Sequence, residues 1–114
     1  MDTPSPRQNK ISRLIQKDMG EMLQQYARNW IPGVLISVSS VRLSPDMGLA
    51  RVYLSVFPSN RGEEILTKVS GVNKEIRYQL AQRVKNQLRR VPQLTFSIDD
   101  SLDYIEKIDD LLNK

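Results

Sequence analysis

The chain reads as an α+β fold, a three-stranded sheet packed against helices in the order α-β-β-α-α-β with a further helix at the C-terminus. Three observations predict this. Apolar residues recur at intervals of three and four over residues 6–28 and again over 61–90, the period of helices with one buried face. Residues 34–57 instead alternate around a Pro-Asp-Met-Gly turn, as a hairpin does. A third alternating run, Leu94-Thr95-Phe96-Ser97-Ile98, follows Pro92 and supplies the remaining strand.

Residues 1–5 read as a flexible N-terminal arm, and residues 6–112 as a single domain of a size that builds one core. Pro6 suits the first turn of the first helix, whose stripe is Ile11, Leu14, Ile15, Met19, Met22, Leu23 and Tyr26. Gly20 interrupts that helix at a cost of up to about 1 kcal/mol, so a close packing contact is expected there. Asn29-Trp30-Ile31-Pro32-Gly33 ends the helix, and Trp30 is expected to cover a core edge, with ligand contact as its alternative. The strand over 34–44 places Val34, Ile36 and Val38 on one side, and the returning strand over 49–57 does so with Ala50, Val52, Leu54 and Val56. In the turn between them, proline presets φ and Gly48 accepts a positive φ. A short helix over 61–69 carries Ile65, Leu66 and Val69; a second, from Val72 towards Arg90, carries Ile76, Leu80, Val84 and Leu88. After the third strand, Ser101-Leu102 opens a final helix with Ile105, Ile108, Leu111 and Leu112.

Composition excludes several function classes. Hydrophobic content of 39% and charged content of 26% belong to a globular chain, not a disordered one. Without histidine or cysteine, the commonest general base, the thiol nucleophile and the usual transition-metal ligands are missing. The five glycines are isolated, so no phosphate-binding glycine loop is present. Asp99-Asp100 ends a strand before a helix, where such residues ordinarily cap. No enzyme activity, metal or cofactor is expected. Neither a signal peptide nor an 18-residue apolar run is seen, so a cytoplasmic protein without a membrane partner is expected. The chain is expected to be a monomer, with a free edge strand as the route by which copies would pair.

Charge is polarised along the chain. Residues 68–90 hold seven cations and one anion, a net of +6, whereas residues 99–110 hold six acids and one lysine, a net of −5. The basic stretch begins at Val69-Ser70-Gly71, where a glycine between two helical patterns lets the chain bend and lets another backbone approach. At about 100° per residue, Lys74, Tyr78, Lys85 and Arg89 share one flank beside the buried stripe, with small Ala81 among them. A cationic flank with an interleaved aromatic holds phosphates and stacks a base. The alternative is a solvated face whose tyrosine laps over the core. Ser70, Gly71, Asn73, Lys74, Arg77, Tyr78, Lys85, Arg89 and Arg90 are the candidate RNA-binding residues. Arg77 falls inside the apolar sector, so a structural salt bridge is its alternative role. Arg7 and Lys10, with Arg13 and Lys17, extend the positive charge over the first helix as secondary candidates.

The order of elements, with a small-residue bend between the middle helices, resembles a type II KH domain. More narrowly, the chain resembles the bacterial ribosome-binding factor A family. The resemblance rests on residues 13–23, on Ser44-Pro45-Asp46 with Ala50-Arg51-Val52-Tyr53-Leu54-Ser55, and on Gly71-(x5)-Arg77-(x2)-Leu80-Ala81. Arg89-Arg90-Val91-Pro92-Gln93-Leu94-Thr95-Phe96 followed by Asp99-(x)-Ser101 completes it, so that residues 7–112 are covered. It implies a non-catalytic factor that binds the small ribosomal subunit and assists late maturation of 16S rRNA, notably its 5′ end and in the cold, before leaving with help from a releasing GTPase. In that family an Ala-x-Gly bend replaces the Gly-x-x-Gly loop of ordinary KH domains; here valine, Val69, stands at the alanine position. Two other readings of the residues stand beside it: a KH-type binder of single-stranded nucleic acid outside the ribosome, and a protein-interaction adaptor.

Overall fold

The computed structural model describes residues 6–99, so the expected N-terminal arm and the expected helix from Ser101 lie outside the described residues. Helix α1 (Pro6–Trp30) buries Ile11, Ile15, Met19, Met22 and Leu23 of the predicted stripe and adds Ala27, while Leu14 and Tyr26 are half-buried at its margin. It runs two residues past the expected end, because the Ile31 amide still donates to the Ala27 carbonyl at 2.9 Å before Pro32 stops the helix. Gly33, at φ 89°, then turns the chain. Trp30 lies 5.2 Å from Tyr26, ring to ring, and packs on the core edge. The close contact expected at Gly20 is absent: a Cβ there would meet nothing within 4 Å.

Strands β1 (Leu35–Leu43) and β2 (Leu49–Phe57) pair antiparallel, and β3 (Gln93–Ile98) pairs parallel to β2, giving the order β1-β2-β3. The register steps from Val38↔Leu54 to Ser40↔Tyr53, so Ser39 is an extra residue, a β-bulge. Its consequence is that the buried series runs Val34, Ile36, Val38 and then Val41. In the hairpin turn the Asp46 carboxylate accepts from the Ser44 hydroxyl at 2.6 Å and the Gly48 amide at 3.0 Å. Met47, not Gly48, takes the positive φ, at 59°.

Parallel pairing of β2 with β3 needs a crossover, which a 3-10 turn (Ser59–Arg61), α2 (Gly62–Gly71) and α3 (Asn73–Val84) provide. The three helices cover one face of the sheet. Ile15, Leu23, Val52, Leu54, Ile65, Val69, Ile76 and Leu80 are sealed from solvent between the layers. Burial of each large side chain contributes about 1.5–3 kcal/mol, which accounts for the spacing of apolar residues on every element.

Each sheet edge is partly covered by side chains, which narrows the free edge expected. Three glutamines spaced eight apart on α1 line up along β1. Gln8 donates to the Ser44 carbonyl (3.3 Å) and Gln16 to that of Val38 (3.0 Å). Gln24 donates to the Val34 carbonyl (3.4 Å) and accepts from the Ile36 amide (2.9 Å). On β3 the Gln93 amide bonds Gly48 of the hairpin, so the carbonyls of Pro92 and Leu94 point the other way, where α3 side chains meet them. Where it reaches, such coverage blocks the ladder on which strands of other molecules add.

Candidate nucleic-acid interface

The elbow between α2 and α3 is a single non-helical residue, Val72 (φ −113°, ψ 24°), whose amide bonds back to the Val69 carbonyl at 3.1 Å. The bend thus falls one residue after Gly71. Val69 is fully buried beneath it and Ser70 and Gly71 are exposed above it. A Cβ on Gly71 would meet open space and its φ is not positive, so the fold itself does not demand glycine there.

Beside the elbow lies an open groove of about 1160 Å³ between α3 and the start of β3. That exceeds the roughly 300–1,000 Å³ of small-molecule clefts and suits a polymer strand. Ser70, Gly71, Asn73, Lys74, Arg77, Tyr78, Lys85 and Arg89 all line it, so eight of the nine predicted residues come together. Tyr78 is 67% exposed, a ring free to stack. Lys74, Lys85 and Arg89 are exposed and make no ion pair among the described residues.

The predicted helical flank holds from Lys74 and Tyr78 through Lys85, and Arg89 reaches the groove from beyond it. Helix α3 ends at Val84, and the Gln87 and Leu88 amides both bond back to the Val84 carbonyl at 2.9 Å. Lys85 therefore caps the helix, and Arg89 lies in the bend that follows the turn over residues 85–87. Arg90, in the same bend, faces an adjoining groove of about 490 Å³ with Arg7, while Lys85 and Arg89 border both. Lys10 is exposed and lines neither.

Two of the predicted residues are braces. Arg77 donates from Nη2 to the Val91 carbonyl (2.8 Å) and from Nε to that of Pro92 (3.1 Å). Its partners are main-chain carbonyls rather than the carboxylate of a salt bridge. Asn73 Nδ2 donates to the Leu94 carbonyl at 3.0 Å. Together they hold the strand that forms the groove's far wall. Arg83, counted in the basic stretch, pairs across to Asp18 (3.5 Å) and Glu21 (3.0 Å) on α1. Tyr26 accepts from Gln79 at 3.0 Å, and burial followed by the neighbouring Glu75 carboxylate raises its phenol above the ordinary range. Glu75, the only acid among the described residues in the groove's lining, is held in that cluster. Sequence reasoning missed Gln82, Leu88 and Gln93 in the lining; Leu88, read as core, was visible as a stripe residue lying past the last fully buried position.

No group of three or more His, Cys, Asp or Glu residues among those described is placed to hold a metal. Nor is any described helix long and apolar enough to cross a membrane. The site offers charge, a ring and an open main chain. The sequence profile of ribosome-binding factor A matches residues 7–112. The chain belongs to the ribosome-binding factor A family. The Flavobacterium psychrophilum ribosome-binding factor A is 52% identical over 107 residues, 93% of this chain and 82% of that one. The crystal structure of the Thermus thermophilus factor superposes with a TM-score of 0.64 at 26% identity, covering 80% of this chain and 93% of that one. The Thermus factor as fitted into a cryo-EM map of a 30S complex gives a TM-score of 0.56 at 27% identity, over 76% and 93% of the two chains. The α+β architecture is therefore that of the ribosome-binding factor A family.

Proposed function

We propose that the protein binds 16S rRNA in the assembling small ribosomal subunit through the α3–β3 groove and assists late maturation, including that of the 5′ end. The observation that carries this is the convergence of three cations without an ion pair among the described residues, Lys74, Lys85 and Arg89, and an exposed ring, Tyr78, on one groove beside an unobstructed elbow. The fitting of the Thermus relative into a 30S complex supports the choice of partner. The protein acts by binding rather than catalysis: it favours one RNA arrangement by its difference in affinity for the alternatives. It works in the cytoplasm as a monomer, and a GTPase assists its release when the subunit matures.

Three neutralised phosphates predict that single-strand binding weakens by about 2 decades per tenfold rise in salt. An adaptor using an apolar patch would show little salt dependence. The test is cosedimentation of the wild type and a Lys74→Glu/Lys85→Glu variant with small subunits at two salt concentrations. The variant should be lost from the pellet at the higher salt. Equal retention of both proteins removes the groove from the account.

A further inference from the structure

The face of the sheet turned away from the helices carries its own pattern. Along β2, Leu49, Arg51, Tyr53, Ser55 and Phe57 point outward, opposite the buried Ala50, Val52, Leu54 and Val56. The register sets Arg42 directly across from Arg51, with Thr95 on the other side. Ser40 and Ser97 flank Tyr53 in the next row, and Leu35 meets Phe57 at the end of the sheet. Like charges directly opposite on neighbouring strands repel, and Arg42 and Arg51 have no ion pair among the described residues. No carboxylate stands in the outward rows of the three strands; the first acid along β3 is Asp99, just beyond its end. Phe57 is 70% exposed and Leu35 61%. A face that, among the described residues, has two unneutralised guanidinium groups, a run of hydroxyls, an exposed ring and no acid is complementary to an anion that also carries flat apolar surfaces.

We infer that the open face of the sheet is a second RNA-binding surface, on which Arg42 and Arg51 hold phosphates and Phe57 stacks a base of a single-stranded segment. Arginines in a cross-strand pair present two donor forks side by side, a geometry that suits phosphate oxygens. Hydroxyls beside them suit ribose, and an aromatic on a sheet face is how sheet-based RNA binders capture unpaired bases. The rows of Arg51 and Phe57 on this face lie outside the lining of the α3–β3 groove, which meets the face only at Gln93, so one protein would hold two RNA segments at once. This would make it a clamp on their relative arrangement. The surface does not depend on the groove reading being right.

The test is an amide-resolved NMR titration of the full chain with single-stranded hexauridylate. Residues 42, 51, 53 and 57 should shift as one set, separate from the set at 70–78. In Lys74→Glu/Lys85→Glu the groove set should vanish while the sheet set persists, so that failure of either surface is told from failure of the other. Phe57→Ala should weaken the sheet set's affinity by roughly five- to a hundredfold, the worth of one stacked base. Arg42→Glu should weaken it too, yet raise the melting temperature by turning a repulsive pair into an attractive one, which separates lost binding from lost folding. An unmoved sheet set overturns the proposal. So do equal shifts with a glutamate oligopeptide of the same charge. If Ile105→Ser/Ile108→Ser shifts residues 35, 42, 51 and 57 without RNA, and RNA leaves them unmoved, the face belongs to the C-terminal segment and the proposal falls.

Discussion

Replacing Arg77 with methionine separates the two roles open to it. Its side chain makes two hydrogen bonds, at 2.8 and 3.1 Å, to the carbonyls of Val91 and Pro92. Each hydrogen bond from a charged donor is worth about 1.5–3 kcal/mol when dry. Arg77 is half-buried and water can replace part of each bond, so roughly half of the sum is lost, about 1.5–3 kcal/mol. For a domain of this size 1 kcal/mol moves the melting temperature by about 4–8 °C, so a fall near 10 °C is expected. Arg77→Lys keeps the charge but not the fork, and should fall about half as far. The second measurement is the salt dependence of oligonucleotide binding, taken below the variant's melting transition. A brace leaves that slope as it is in the wild type; a phosphate ligand lowers it by about 0.7. A variant that melts with the wild type and loses slope would refute the assignment of Arg77 as a brace.

Gln24→Leu strips the Val34 carbonyl and the Ile36 amide of their partner; urea unfolding should show a loss of about 1–3 kcal/mol, and sedimentation should reveal concentration-dependent pairing through β1. Gly71→Ala places a methyl group in open space, so thermal melting should show unchanged or slightly raised stability while affinity for single-stranded RNA falls, the sign of a backbone that approaches there. The Asp46 carboxylate is held below its ordinary range by the Ser44 hydroxyl and then the Gly48 amide. Its contribution is therefore full above the unfolded pKa near 3.8 and lost as pH falls through the lower folded value: the melting-temperature gap between wild type and Asp46→Ala should hold from neutral pH down to about 3.8, shrink below it and be gone under the folded value.

The hairpin was legible because Ala50, Val52, Leu54 and Val56 alternate without interruption, and periodicity is the strongest local signal. The bulge at Ser39 was written in the same residues, since Val41 breaks the even-numbered series begun at Val34, but a one-residue slip looks like noise without a partner strand. The end of α3 was not legible. Residues 85–90 carry good helix formers, and what stops the helix is tertiary: the chain must reach β3, and Arg77 fixes Val91 and Pro92 where that strand begins. The convergence of Lys74, Tyr78 and Lys85 was legible as a helical flank, whereas Arg89 joins them from the bend beyond the helix end. The edge-sealing glutamines carried a signal, their eight-residue spacing, but glutamine on a helix is ordinarily solvated and pattern alone gives no cause to look for a strand beside it.

The braces also determine what the groove can recognise. At its β3 wall the acceptors of Val91, Pro92 and Leu94 are already bonded by Arg77 and Asn73, and Pro92 has no amide to offer. Base edges arriving there find few main-chain partners, so hydrogen-bond readout of sequence is largely closed off at this wall. What stays open is charge at Lys74, Lys85 and Arg89, the Tyr78 ring, and the apolar floor at Val72, Ala81 and Leu88. Those groups respond to where phosphates run and whether a base is unstacked, not to which base it is. A protein that reads path rather than sequence discriminates between arrangements of one RNA, which share every nucleotide and differ only in course. A tenfold preference between two such arrangements is about 1.4 kcal/mol, which a single phosphate contact or a single stacked ring can supply. The same side chains that close the sheet edge against other strands therefore suit the groove to an RNA whose fold, not its sequence, is what changes.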